Sequence, residues 1–314
     1  MKILFKSKKR TVLSIVALLI IMLILINSGA SMFFSFALFK KNGWEKFEEY
    51  SYGEKLKDNS DWISDRSEKI QIENAAGECV TALKIKNEHI SHSYIIICHQ
   101  YGGSPESMED YVKHFYDLGF NIILPYMRGH GDSTYKAVSF GWNDSSDIVD
   151  WVEAIISEDK KSRIALFGVS LGANAVTLAA AEDLPENVRF VIADSCYTSM
   201  DALIEEYIKT QTKFSSVVTK SLISVFSEKK LGVSFDDADT IKILGDIELP
   251  IMFINGENDT VVPPLLSKKL YENCESYGTE EVIIEGGTHG RNIFADELTY
   301  WSSIDAFLLN YLGI

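Results

Sequence analysis

Positive charge is in short supply. The chain has 314 residues, with 30 Lys and Arg against 45 Asp and Glu, for a formal net charge of −15. Neutralising phosphates needs clustered Lys and Arg, so a general nucleic-acid binder is excluded. Cysteine is scarce too: four residues, with no CxxC pair and no Cys/His spacing of zinc type. That excludes a disulfide framework, and no metal site is expected. Cys98 ends one apolar run and Cys196 lies just past another, so both read as buried free thiols. His89 and His92 sit in a polar stretch and read as solvated loop residues, not ligands. Only 20 Gly and 6 Pro are present, too few for a fibrous chain, and there is neither an internal repeat nor a low-complexity segment. At 46% hydrophobic residues the chain is too apolar for disorder.

Charge is unevenly spread. Residues 1–41 hold seven basic side chains and no acidic one, which leaves 23 basic against 45 acidic in residues 42–314. Thr11 to Phe39 is a run of 29 uncharged residues. A membrane-crossing helix needs about 20 apolar residues. The sequence therefore predicts a basic cytoplasmic N-terminus over 1–10, a transmembrane anchor over 11–39 and a polar juxtamembrane linker over 40–69. The basic cluster before the run keeps that end cytoplasmic and places the rest outside. The alternatives are a cleaved signal peptide, with Ser28-Gly29-Ala30 offering small residues for cleavage, and a buried soluble helix. No Cys follows the run for a lipoprotein anchor.

Residues 70–314 alternate apolar runs with helical patterns. Candidate strands are 79–85, 94–98, 120–124, 163–167, 189–194, 250–254 and 281–284. Several are short continuous Ile/Val/Leu/Phe runs, as in strands buried on both faces of a parallel sheet. Helices are expected at 104–119, with Ser104 as cap and Gly119 as terminator, and at 145–157, 171–182, 264–275 and 296–312. This alternation argues for an α/β fold with helices on both faces of the sheet. The rhythm breaks over 197–249, an amphipathic helical stretch with Leu203, Ile204, Tyr207 and Ile208 as an apolar stripe. It reads as a cap over a site, or as a helix pair on the domain edge.

The strongest chemical signal is Gly168-Val169-Ser170-Leu171-Gly172, between an apolar strand and a helix of small residues. A serine hydroxyl becomes a nucleophile only when a base holds it and the fold projects it. A sharp strand-to-helix turn does the projecting, and flanking glycines let that backbone pass. Two further strand-loop units follow in the order the chemistry uses. One offers Asp259 and the other His289 in a glycine-rich loop. Ser170 is thus the expected nucleophile, His289 its base, and Asp259 the group that orients the imidazole. The expected oxyanion donors are the backbone N–H groups of Leu171 and Tyr101, with Gln100 as a weaker alternative to Tyr101. His99 reads as a structural histidine, and His130 as a polar loop residue organising its turn. Asp194, at a strand end, is an alternative acid.

These residues carry a family resemblance. The chain resembles the α/β-hydrolase superfamily, with its nucleophile elbow and Ser…Asp…His order. His99-Gln-Tyr-Gly-Gly103 is similar to that family's His-Gly-x-x-Gly oxyanion loop, with Gln100 where glycine is usual. Arg128-Gly-His-Gly-Asp-Ser133 looks like its Arg-Gly-x-Gly-x-Ser segment. Within the superfamily the chain looks most like the bacterial serine-aminopeptidase-like or prolyl-oligopeptidase-like branch. The resemblance spans residues 70–312 and implies an eight-stranded, mostly parallel sheet and no cofactor. The expected activity is that of a membrane-anchored serine hydrolase acting on an ester, acyl or peptide substrate. A peptidase would need an anionic pocket for the substrate amine, for which Glu205, Glu206, Asp236, Asp237 and Asp239 are candidates. A catalytically silent binding module is the third reading.

Overall fold

The structure, a computed structural model, describes residues 14–25, 28–29, 60–211, 216–231 and 239–312. Within them one eight-stranded sheet carries the fold. Its strands are β1 (Ser67–Glu73), β2 (Cys79–Ile85), β3 (Ser93–Cys98), β4 (Asn121–Pro125), β5 (Arg163–Val169), β6 (Val188–Asp194), β7 (Ile251–Gly256) and β8 (Thr279–Ile284). Their spatial order is β1-β2-β4-β3-β5-β6-β7-β8. The β1–β2 and β2–β4 pairings are antiparallel, and every pairing from β4 through β8 is parallel.

The seven strands expected from apolar runs all form, with ends moved by a residue or two. β1 was not among them. It alternates Ile70 and Ile72 with polar residues along an edge, and this weak period-2 pattern was absorbed into the polar stretch before it. Helix α1 (Asp61–Arg66) precedes β1, with Ser60 Oγ accepting from Ile63 N–H at 3.0 Å. The folded unit thus begins inside the segment expected as linker.

Helices cover both faces. They are α2 (Glu109–Asp117), α3 (Trp142–Glu158), α4 (Leu171–Ala179), α5 (Met200–Gln211), α6 (Ser216–Leu231), α7 (Thr240–Ile243), α8 (Pro264–Asn273), α9 (Asn292–Ala295) and α10 (Glu297–Leu312). Alternate side chains of one strand feed separate cores. Ile96 and Cys98 of β3 join the cluster that includes residues of α3, α4 and the 197–249 insertion. Ile95 and Ile97 join the cluster built with α2 and α10. Continuous apolar strands follow from burial on both faces. Cys98 and Cys196 are buried free thiols, and burial pushes the Cys196 thiol up to about 12.

The expected cap at Ser104 takes another form. Pro105–Met108 is a 3-10 turn leading into α2, and the Ser104 hydroxyl makes no cap bond. Instead Ser107 Oγ donates to the Ser104 carbonyl at 2.7 Å and accepts from its N–H at 3.1 Å. Gly119, at φ +91°, ends the helical stretch as anticipated.

Among its described residues the insertion is mainly helical. An antiparallel bridge between Ser199 and Asp239 closes its base. Leu203, Ile204 and Ile208 of the expected stripe are buried in the same cluster as Tyr101 and Leu171. The side chain of Tyr207 lies outside the described residues.

Among the described residues no helix is long and apolar enough to cross a membrane. Residues 14–25 are helical with exposed apolar side chains, Leu18 at 69% and Leu25 at 65%. Apart from residues 28–29, the rest of the expected anchor, the basic leader and residues 40–59 of the expected linker lie outside the described residues.

Candidate active site

Three loops meet at the carboxyl ends of the parallel strands. Ser170 sits between β5 and α4 with φ 53° and ψ −109°, a conformation L-residues avoid. The glycines around it are needed for space. A Cβ on Gly168 would lie 2.2 Å from the carbonyl of Gly172, and one on Gly172 would lie 2.1 Å from Cys98 O. The elbow is therefore pressed backbone to backbone against β3. The first helical bond of α4 runs from Asn174 N–H to Ser170 O at 2.9 Å. The amides of residues 171–173 thus have no partner within the helix, and they lie at its positive end.

Asp259 follows β7 and His289 follows β8. Their loops approach through a second glycine contact: a Cβ on Gly256 would fall 2.4 Å from the Gly287 carbonyl. Asp259 Oδ1 accepts from Val261 N–H at 2.9 Å and Val262 N–H at 2.8 Å. Its Oδ2 lies 2.8 Å from His289 Nδ1. These bonds fix the carboxylate plane. A carboxylate only accepts, so Nδ1 carries the proton and Nε2 presents its lone pair. Nε2 is 2.8 Å from Ser170 Oγ. All three residues are buried, at 4%, 3% and 2% exposure for Ser170, Asp259 and His289. The arrangement can transfer a proton from the hydroxyl to the imidazole while the carboxylate steadies the resulting charge.

The loop after β3 carries Gln100 and Tyr101. Two histidines hold it. His99 Nδ1 donates to Gln100 O at 2.8 Å, and its Nε2 accepts from Met127 N–H at 3.2 Å. Burial, with His130 beside it, pulls the His99 pKa down to about 3 and keeps the ring neutral. His130 Nε2 accepts from Gly102 N–H at 3.0 Å. The Tyr101 ring lies edge-on to His130 and stacked on Phe140, at 5.2 and 5.5 Å between centroids. His130 thus organises the neighbouring β3 loop as well as its own turn. The Gln100 amide oxygen is buried without a protein partner.

Arg128 is anchored by Asp147, with Nε to Oδ2 at 2.7 Å and Nη2 to Oδ1 at 2.8 Å. Its backbone N–H donates to Asp144 Oδ1 at 2.7 Å. Sequence reasoning singled out the Arg128–Ser133 segment but missed both carboxylates in α3. They look like ordinary polar-face residues until α3 is docked.

Asp194 ends β6 as expected. Its carboxylate accepts from Tyr300 Oη at 2.8 Å, Asn292 Nδ2 at 2.6 Å and Ser195 Oγ at 2.9 Å. Burial pushes its pKa up to about 6, with those bonds opposing the rise. Two of the candidate amine-binding acids of the insertion, Glu205 and Asp239, are otherwise engaged. Glu205 pairs with Lys209 and Lys220, at 2.7 and 2.6 Å, which hold its carboxyl down at about 2. Asp239 caps α7 by accepting from Ile241 N–H at 3.1 Å, and Lys242 lies 3.5 Å away. Asp236 and Asp237 lie outside the described residues.

Comparison with known proteins agrees with this architecture. The sequence pattern of the α/β-hydrolase fold matches residues 94–225. An uncharacterised Bacillus subtilis protein, YqkD, is 25% identical over 224 residues, 71% of this chain and 73% of its own. An uncharacterised yeast membrane protein, YNL320W, is 26% identical over 230 residues, 73% and 74% of the two chains. The Pyrococcus furiosus esterase Pf2001 superposes with a TM-score of 0.68 at 20% identity, covering 82% of this chain and 98% of the esterase. The sheet order, the elbow and these matches together show the α/β-hydrolase fold.

Proposed function

We propose that the chain is a serine hydrolase that cleaves a carboxylic ester, or a related acyl bond, through an acyl-enzyme. The observation that carries this reading is the hydrogen-bonded line Ser170 Oγ, His289 Nε2, His289 Nδ1, Asp259 Oδ2, with both links at 2.8 Å. Ser170 Oγ attacks the carbonyl carbon as its proton passes to His289 Nε2. The imidazolium, steadied by Asp259, returns that proton to the leaving alkoxide. Water then repeats the sequence on the acyl-enzyme and frees the acid. The backbone N–H of Leu171 stabilises the oxyanion, with the Tyr101 N–H as the second donor. Losing one such donor typically costs about 10²–10³ in rate.

An ester is favoured over a peptide because Glu205 and Asp239 are occupied by lysines, which leaves neither as the counter-ion of a substrate amine. Membrane attachment through residues 11–39, with the catalytic domain outside, belongs to the same proposal. It rests on the uncharged 29-residue run and the basic cluster ahead of it.

The test is fluorophosphonate labelling of the full chain, with mass-spectrometric mapping, beside turnover of short-chain p-nitrophenyl esters and aminoacyl amides. Labelling at Ser170, ester turnover, and loss of both in Ser170→Ala are expected. A folded protein that neither labels nor turns over any ester overturns the reading, and amide turnover exceeding ester turnover moves it to a peptidase. Alkaline extraction of membranes tests the anchor separately.

A further inference from the structure

The two residues at the end of β6 bond to the nucleophile elbow, to β7 ahead of the Asp259 loop and to the loop that carries His289. Asp194 O accepts from the Ser170 N–H at 2.8 Å, so its backbone fixes the elbow. Ser195 N–H donates to Ile254 O at 2.8 Å, tying it to β7, the strand that carries the Asp259 loop. Ser195 Oγ accepts from Gly290 N–H at 3.1 Å, next in sequence to His289. Asn292 Nδ2 donates to Ser195 Oγ at 3.2 Å and to Asp194 Oδ1 at 2.6 Å, which closes the loop over the pair. Ser195 is fully buried and stands at φ +57°. A non-glycine residue in that region is strained, and here the strain turns the hydroxyl back beneath the His289 loop.

From this geometry we infer that Asp194 and Ser195 are positioning residues that hold nucleophile, acid and base in mutual register, and that the Ser195 hydroxyl sets the height of His289 against Ser170. The inference rests on the proposed serine chemistry. Asp194 acts through others. Its carboxylate accepts from Ser195 Oγ, which directs the oxygen lone pairs toward Gly290, and Tyr300 Oη fixes that carboxylate from α10. Small displacements of a base are costly: a misplacement of about 1 Å can reduce rate about 100-fold. A hydroxyl that locates the base therefore affects kcat and leaves substrate binding alone.

Ser195→Gly separates this role from simple folding. Glycine adopts φ +57° without strain, so the variant loses the hydroxyl and relieves the backbone. Ser195→Ala loses the hydroxyl and keeps the strain. Asp194→Asn retains an oxygen to accept from Ser195 Oγ. The experiment measures kcat, KM, the rate of fluorophosphonate labelling and the melting temperature of the full chain for all three. In both Ser195 variants kcat and labelling rate should fall about 10- to 100-fold with KM within about twofold. Ser195→Gly should melt no lower than Ser195→Ala, and Asp194→Asn should lose less activity than either. Wild-type kcat in Ser195→Gly overturns the inference. So does a loss that follows melting temperature or raises KM in step, because that marks a merely structural turn. Absence of labelling in wild type counts against the proposed chemistry itself and is read before any variant.

Discussion

At the level of single residues, the elbow glycines are set by contact distances as well as by backbone angles. Gly172 sits in α4, where alanine would ordinarily be the better helix former. The Cβ it lacks would lie 2.1 Å from Cys98 O, an atom of the strand backbone that has no room to yield. Gly172→Ala should therefore push α4 off β3, at a cost of about 2–3 kcal/mol. Urea unfolding should show a lower midpoint with an unchanged slope, and ester turnover should fall with the displaced Ser170. This requirement was half legible in the sequence. The GxSxG spacing pointed to a tight turn, but which backbone pressed on which glycine depended on the β3–β5 pairing. Ser195 was less legible still. Nothing in its neighbours marks it as strained, and its partners Gly290 and Asn292 lie more than 90 positions further along the chain.

At the level of elements, the Arg128–Ser133 loop is a bracket. Asp147 holds the Arg128 guanidinium through two bonds, Asp144 takes the Arg128 amide, and His130 reaches the loop after β3. Both side chains of the ion pair are largely buried, at 13% and 11% exposure. Arg128→Ala leaves a carboxylate in that site with Asn74 Nδ2 as its neighbour at 2.8 Å, and should destabilise by about 3 kcal/mol. Arg128→Met combined with Asp147→Leu removes both charges and should recover most of the stability while leaving activity low. That result would separate the bracket's effect on the Tyr101 loop from its effect on folding, as read by melting temperature beside kcat.

At the level of the whole molecule, two buried groups pull the pH dependence of stability in opposite directions. Asp194 has a folded pKa of about 6, above the value of about 4 for an unfolded carboxyl. Its contribution is fully present below about pH 4 and is lost as pH rises through about 6. His99 has a folded pKa of about 3, below the unfolded value of about 6.5, so its contribution is present above that value and lost on acidification. Asp194→Asn isolates the first effect, because His99 is common to both proteins. The stability of wild type relative to the variant should fall by a few kcal/mol between about pH 4 and about pH 6 and then level off. Denaturant unfolding across that range measures it, and a difference flat throughout the range would contradict the assignment.

Much of this protein is local information. Continuous apolar runs marked β3, β4, β5 and β7 because burial on both faces of a sheet leaves such strands little other composition. The elbow and its two downstream loops were legible because each is a short strand followed by turn-forming residues. An edge strand with one weak face, β1, was passed over for the complementary reason. Tertiary structure alone decided which groups share a buried site. The Asp194 carboxylate and Ser195 hydroxyl were brought under the His289 loop, and Asp144 and Asp147 were turned into holders of Arg128. Those pairings arise when parallel strands bring distant loops to one edge, where each buried polar atom must find a partner, and no stretch of sequence contains both members.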